Sequence, residues 1–189
     1  LRYNPEDTAL LSNYVYQKTK GNPFFTCQLL KTLYENELFK FNEESSIWEW
    51  HIEEIRNIQL SDNVVDFLIE NLKLLPFDSL YILKAASCIG NYFELRIIYE
   101  ICKDIEDIYS ALRIAMEKEY VVPVDNNYKF LNVEKDEYLK SGIKINFRFN
   151  HSRIQQAAYS LVSDKEKELI HYRVGKILLN TYNNKNMYG

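Results

Sequence analysis

Apolar positions recur at helical spacing from the start of the chain. Leu10, Leu11, Tyr14 and Val15 form one stripe over residues 5–20, with Pro5 suited to a first helical turn and Gly21 to a C-terminal cap. A second stripe opens at Pro23, whose missing N–H costs nothing in a first turn, and runs through Phe25, Leu29, Leu30, Leu33 and Tyr34 to about Leu38. The pattern therefore predicts two helices that meet at a Gly21-Asn22-Pro23 corner. Residues 39–41 and 47–50 alternate apolar and polar around Asn42-Glu43-Glu44-Ser45-Ser46, which predicts a β-hairpin. Trp48 and Trp50 share one face of its second strand and should pack on the neighbouring helices. Ser61 is placed to cap a helix carrying Val64, Val65, Leu68, Ile69 and Leu72, and Pro76 closes this first unit.

Beyond Pro76 the grammar changes. Three short helical patterns (77–89, 93–103 and 105–119) precede three β-like runs (121–124, 128–131 and 145–149), the order of a winged helix. Asp104 or Glu106 can serve the third helix's N-terminus, Asp125-Asn126-Asn127 can turn the wing, and 132–142 reads as a charged loop. Two more helices follow at 152–162 and 163–182, the second opened by the capping-box pair Ser163 and Glu166, and residues 183–189 read as a fraying tail. The expected architecture is mainly α with small β-hairpins: a helical lid subdomain over 1–75 with a hairpin near 39–51, a winged-helix subdomain over 76–150, and C-terminal helices over 151–189. That last helix pair leaves open the start of a helical-repeat array.

Composition narrows the chemistry. The 189 residues are 47% hydrophobic and 14% aromatic, enough for a real core, and the net charge of −4 disfavours a chain that wraps nucleic acid, since that binding rests on Lys and Arg. The third helix of the winged unit carries four acids against two bases, which argues further against DNA. Cys27, Cys88 and Cys102 form no CxxC pair, and His51, His151 and His171 show no metal-ligand spacing. These features fit a reducing, cytoplasmic setting, and Cys88 and Cys102 read as buried small hydrophobes. The chain contains no apolar run long enough to span a membrane, no initiator Met, and no GxxxxGK[ST] or GxGxxG phosphate loop, so it reads as a non-catalytic piece of a longer protein. Paired acids such as Glu53-Glu54 have no partnering nucleophile and are expected on solvated faces.

Four blocks in order carry a resemblance to a known family. They are Lys18-Thr19-Lys20-Gly21-Asn22-Pro23-Phe24-Phe25 with the following Leu29-Leu30-Lys31-Thr32-Leu33-Tyr34; Asp62-Asn63-Val64-Val65; Leu83-Lys84-Ala85-Ala86-Ser87-Cys88-Ile89-Gly90-Asn91; and Phe149-Asn150-His151-Ser152-Arg153-Ile154-Gln155-Gln156-Ala157-Ala158-Tyr159-Ser160-Leu161. Together they resemble the signal-transduction NTPases with numerous domains, the STAND class of AAA-related ATPases, as found in bacterial serine/threonine kinase and sensor histidine kinase fusions. The resemblance covers nearly the whole chain.

The resemblance implies that an upstream P-loop core of the parent binds ATP or ADP with Mg²⁺, that this region closes over the nucleotide, and that its state is passed to neighbouring kinase domains and to oligomerisation. It implies that Gly21, Asn22 and Pro23 hold the adenine base, the proline ring offering a rigid apolar face, and that His151 reaches the diphosphate of ADP, with Arg153 as a further phosphate contact. Asn150 and Ser152 stand where the family carries Met and Asp, leaving Ser152 the helix-capping part of the aspartate's role. Read from residues alone, the Gly-Asn-Pro corner serves equally as a plain helix–turn–helix connection, and His151 as a helix-start histidine that bonds the wing. A nucleotide-independent winged-helix interaction module, or part of a transcriptional regulator, is the alternative assignment.

Overall fold

A computed structural model of the protein describes residues 5–57, 61, 63–132 and 135–186. The chain is mainly helical, with two small antiparallel sheets, and falls into two compact units, Leu1–Phe67 and Leu68–Gly189.

In the first unit, helices α1 (Pro5–Thr19) and α2 (Pro23–Glu35) are followed by strands β1 (Phe39–Asn42) and β2 (Ile47–Trp50) and the short helix α3 (Ile52–Asn57). The predicted hairpin forms with Phe39 opposite Trp50 and Asn42 opposite Ile47, and Phe39 stacks on Trp48 with ring centroids 4.6 Å apart. Leu11 and Tyr14 of α1, Phe25, Leu29 and Leu33 of α2, Ile55 of α3 and Phe67 make one buried cluster, to which Trp50 and Phe39 are added from the hairpin. Phe25 and Phe67 meet at 5.2 Å, and the Tyr14 hydroxyl donates to the Ile55 carbonyl at 3.4 Å. Helix α3 had no signal in the apolar pattern, because only Ile55 of its six residues is buried. Helix α4 (Val64–Lys73) begins one residue after Asn63, not at Ser61. The Asn63 side chain accepts from the Val65 amide at 2.8 Å, while the Ser61 hydroxyl accepts from the amide of Asn63 itself, at 3.1 Å. The division between units falls inside α4, after Phe67.

In the second unit, α5 (Phe77–Ile89) is the central helix. Ile82, Leu83, Ala85 and Ala86 are fully buried there, as expected of a helix covered on most sides. Strand β3 (Tyr92–Glu94), α6 (Leu95–Ile101), α7 (Ile108–Glu117), β4 (Val121–Pro123) and β5 (Asn146–Phe149) follow, with the sheet order β3-β5-β4, all antiparallel. The unit thus runs as three helices, with one strand after the first and a pair of strands after the third.

Four local expectations are corrected by tertiary pairing. Residues 93 and 94, expected to open the second helix, belong to strand β3 instead, because Phe93 lies opposite Phe147 on the buried face of the sheet. The third helix is capped by Asp107, not Asp104 or Glu106. Its carboxylate accepts from the Ser110 amide at 2.9 Å, and bonds from the Ser110 hydroxyl and amide hold the carboxyl below its usual range. Residues 128–131 are not a strand: β5 is already bonded on both edges, and Asp125 accepts from the Asn127 amide at 2.8 Å, turning the chain into a 3-10 helix over Asn126–Asn132. The charged loop contains helix α8 (Lys135–Ser141), anchored by buried Tyr138 against Tyr99 at 5.7 Å and by the Arg96 guanidinium donating to the Leu139 carbonyl at 3.0 Å.

Helices α9 (Ser152–Ser160) and α10 (Asp164–Asn186) complete the unit. The predicted capping box is present: the Ser163 amide donates to Glu166 at 2.8 Å and the Glu166 amide to the Ser163 hydroxyl at 3.4 Å. The expected fraying tail begins inside α10, which runs to Asn186, and its last residues, 187–189, lie outside the described ones. Among the described residues no helix is long and apolar enough to cross a membrane, and no group of three or more His, Cys, Asp or Glu could hold a metal ion.

Cys88 and Cys102 are buried and Cys27 is exposed; burial pushes the Cys102 thiol up to about 12 and raises that of Cys88. Thiolate, not thiol, is the nucleophile. A disulfide reagent added to the native protein at neutral pH should therefore modify Cys27 rapidly and reach the other two cysteines only after denaturant is added, as followed by mass spectrometry.

Candidate functional site

The corner between α1 and α2 is set by its sequence. Lys20 and Gly21 both adopt positive φ, +51° and +76°, which stops α1, and only glycine takes this region without penalty. Asn22 then returns to extended backbone and caps α2, its side-chain oxygen accepting from the Phe25 amide at 3.0 Å. Pro23 occupies the first turn with its ring exposed, while Phe25 two residues on is buried and fixes the corner to the unit's core. Across the corner the Thr26 hydroxyl bonds that of Thr19 at 3.1 Å. Beside it lies a cleft of about 370 Å³ between α1 and α2, bordered by Tyr16, Thr19, Gly21 and Thr26. An added Cβ on Gly21 would sit 3.7 Å from the Tyr16 ring, so glycine and tyrosine together shape one wall.

His151 belongs to the second unit. It follows β5 directly and is itself the N-cap of α9: its backbone is extended (φ −148°, ψ 145°) and its Nδ1 accepts from the Arg153 amide at 3.1 Å. The capping expected of Ser152 is corrected, because that residue is already the first helical one. A ring nitrogen that accepts carries no proton, so the neutral imidazole has its proton on Nε2. That is the tautomer able to donate to an anionic oxygen. The preceding residue is tied to the wing, the Asn150 amide donating to the Tyr120 carbonyl at 3.0 Å. Arg153 is exposed, and its guanidinium donates to Gln156 at 2.7 Å.

Thus Gly21, Asn22 and Pro23 form one local arrangement in the first unit, and His151 and Arg153 another in the second. A separate cleft of about 370 Å³ lies along α9, where Gln155 and Tyr159 face Ser87 and His171. The Gln155 amide donates to the Ser87 carbonyl at 3.2 Å, the Tyr159 hydroxyl and His171 Nε2 are 3.4 Å apart, and Lys167 stands 4.8 Å over the Tyr159 ring. Sequence reasoning did not find this group, nor the Thr19–Thr26 pair. Neither has a motif, since the first joins α1 to α2 and the second joins α5, α9 and α10, each bringing together turns that are separate in the chain.

No protein-family model matches the chain, and no solved structure matches it significantly. The chain is similar to a segment of the hybrid signal transduction histidine kinase G of Dictyostelium discoideum, 34% identical over 203 aligned residues that include 96% of this chain and 6% of that protein. It is also similar to part of the peroxide stress-activated histidine kinase mak3 of Schizosaccharomyces pombe, 28% identical over 138 residues, 69% of this chain and 6% of that protein. The chain thus spans about 6% of the length of both relatives. Both relatives are signalling histidine kinases of eukaryotes, so a bacterial source, which the resemblance suggested, finds no support in them.

Proposed function

We propose that this chain is a regulatory, non-catalytic part of a multidomain signalling kinase, closing over an adenine nucleotide held on a P-loop core elsewhere in the protein and passing the nucleotide's state to the kinase. The observation that carries the reading is its similarity along 96% of its length to a hybrid histidine kinase. The local geometry supports it. The Asn22 cap and buried Phe25 hold the exposed Pro23 ring rigid, so an adenine face could pack on it with little ordering cost. Capping fixes the His151 tautomer with a proton on Nε2, and Arg153 adds a cation at the same helix start. The expected Mg²⁺ belongs with the phosphate-binding core. Neither relative's name mentions an ATPase of the STAND class, and that assignment is part of the proposal.

The device is two-state: with ADP both arrangements engage the nucleotide, and with ATP the winged unit is released and the parent can oligomerise. The test is calorimetric titration of ADP into the full-length kinase that contains this chain, comparing wild type with Pro23→Ala and His151→Ala. Each substitution should weaken ADP about tenfold, the equivalent of ~1.4 kcal/mol, and His151→Ala should raise basal kinase output. Unchanged ADP affinity in both folded variants defeats the proposal, and absence of nucleotide binding in the wild type makes the chain a nucleotide-independent interaction module.

A further inference from the structure

We propose that the cleft between α1 and α2 is a binding site in its own right for an uncharged, flat heteroaromatic molecule bearing a hydrogen-bond acceptor. At about 370 Å³ it falls in the size range of small-molecule pockets. None of its lining side chains is charged: the floor is apolar, with Leu11, Val15 and Leu30, and hydroxyls stand around it. Such a lining has nothing to neutralise a phosphate or carboxylate, and it disfavours ions on desolvation grounds alone.

The specific anchor is the Thr19–Thr26 pair. Thr19 is 4% exposed, and the two hydroxyls share a single hydrogen bond of 3.1 Å. Each hydroxyl owns one proton, and the pair uses one between them. Thr26 is the donor, so the Thr19 hydroxyl keeps its own O–H, with no acceptor among the described residues, at the edge of the cleft. A buried donor left unpaired is costly, and a ligand nitrogen or carbonyl would satisfy it. The Tyr16 ring, 63% exposed and lying against Gly21, supplies a flat wall on which a planar ligand can stack. This site needs no nucleotide and stands apart from the reading of Pro23 and His151.

The experiment records amide ¹H–¹⁵N spectra of the 189-residue chain during titration with quinoxaline, a neutral flat bicycle with ring-nitrogen acceptors, and with naphthalene, the same shape without them. Saturable shifts are expected at the amides of Tyr16, Thr19, Gly21 and Thr26, with quinoxaline bound about tenfold more tightly, the worth of one neutral hydrogen bond. In the Thr19→Val/Thr26→Val double variant both hydroxyls go and the shape stays, so the fold should persist and quinoxaline should fall to the naphthalene level. Tyr16→Ala should weaken both probes. Absence of saturable shifts at these amides, equal affinity of the wild type for the two probes, or undiminished quinoxaline binding in the double variant overturns the proposal.

Discussion

Phe147→Ala should cost about 3–5 kcal/mol, the range for emptying a fully buried aromatic site, and is expected to be the most damaging single change in the second unit. Phe147 lies in β5, the middle strand of the three-stranded sheet, fully buried and 5.8 Å from the Phe93 ring, with Pro123 opposite it on the other side. Removing the ring leaves a void that all three strands border, and a rigid sheet held by hydrogen bonds on both edges of β5 cannot collapse into it. Against a total stability of about 5–15 kcal/mol for an ordinary domain, that is a loss of about a fifth or more of the whole. Urea denaturation followed by circular dichroism measures it. Phe147→Leu should lose much less, and equal losses in the two variants would show that the strand, not the packed ring, is what matters.

Glu166→Ala should be the second largest, at roughly 2 kcal/mol, combining a lost N-terminal cap with a broken ion pair. Glu166 holds two partners at once: it accepts from the amide and hydroxyl of Ser163 at 2.8 and 2.7 Å, and from Lys84 of α5 at 2.9 Å. Lys84 is the more buried partner, its side chain 18% exposed, so truncating Glu166 leaves a poorly hydrated ammonium behind. Hydrogen bonds from Ser163 and then from Lys84 bring the Glu166 carboxyl down to about 2 from its ordinary 4.5. A lowered carboxyl binds fewer protons in the folded than in the unfolded chain, so its stabilisation is complete above pH 4.5 and fades as pH falls toward about 2. The wild-type melting temperature should therefore drop more steeply over that interval than that of Glu166→Gln, which lacks the titrating group. Parallel pH profiles for the two proteins would remove Glu166 from the acid sensitivity.

Much of the fold was legible because periodicity and capping chemistry are local. The stripe Phe25, Leu29, Leu33 is one face of a helix whatever else the chain does, and all three residues are buried. Gly21-Asn22-Pro23 stops one helix and starts the next through its own backbone and side chain, and Ser163 with Glu166 forms its box within a single turn. The mainly helical class with small antiparallel sheets follows from such signals. The candidate site was legible only in part. The corner and the histidine at the start of α9 could be picked from motif order, but the cap at that helix went to His151, and nothing in the sequence marked Thr19 with Thr26 or Tyr159 with His171.

Elements whose hydrogen bonds close within a few residues are therefore written in the local pattern of the chain. Where strands end and which side chains meet depends on long-range packing. Residues 93 and 94 became strand and 126–132 a 3-10 turn because β5 has two edges, and β3 and β4 take them. Residues 135–141 became a helix because Tyr138 found a buried place beside Tyr99. Each choice is a competition for a partner distant in the chain, and the free energy of that partner is not written in the local pattern.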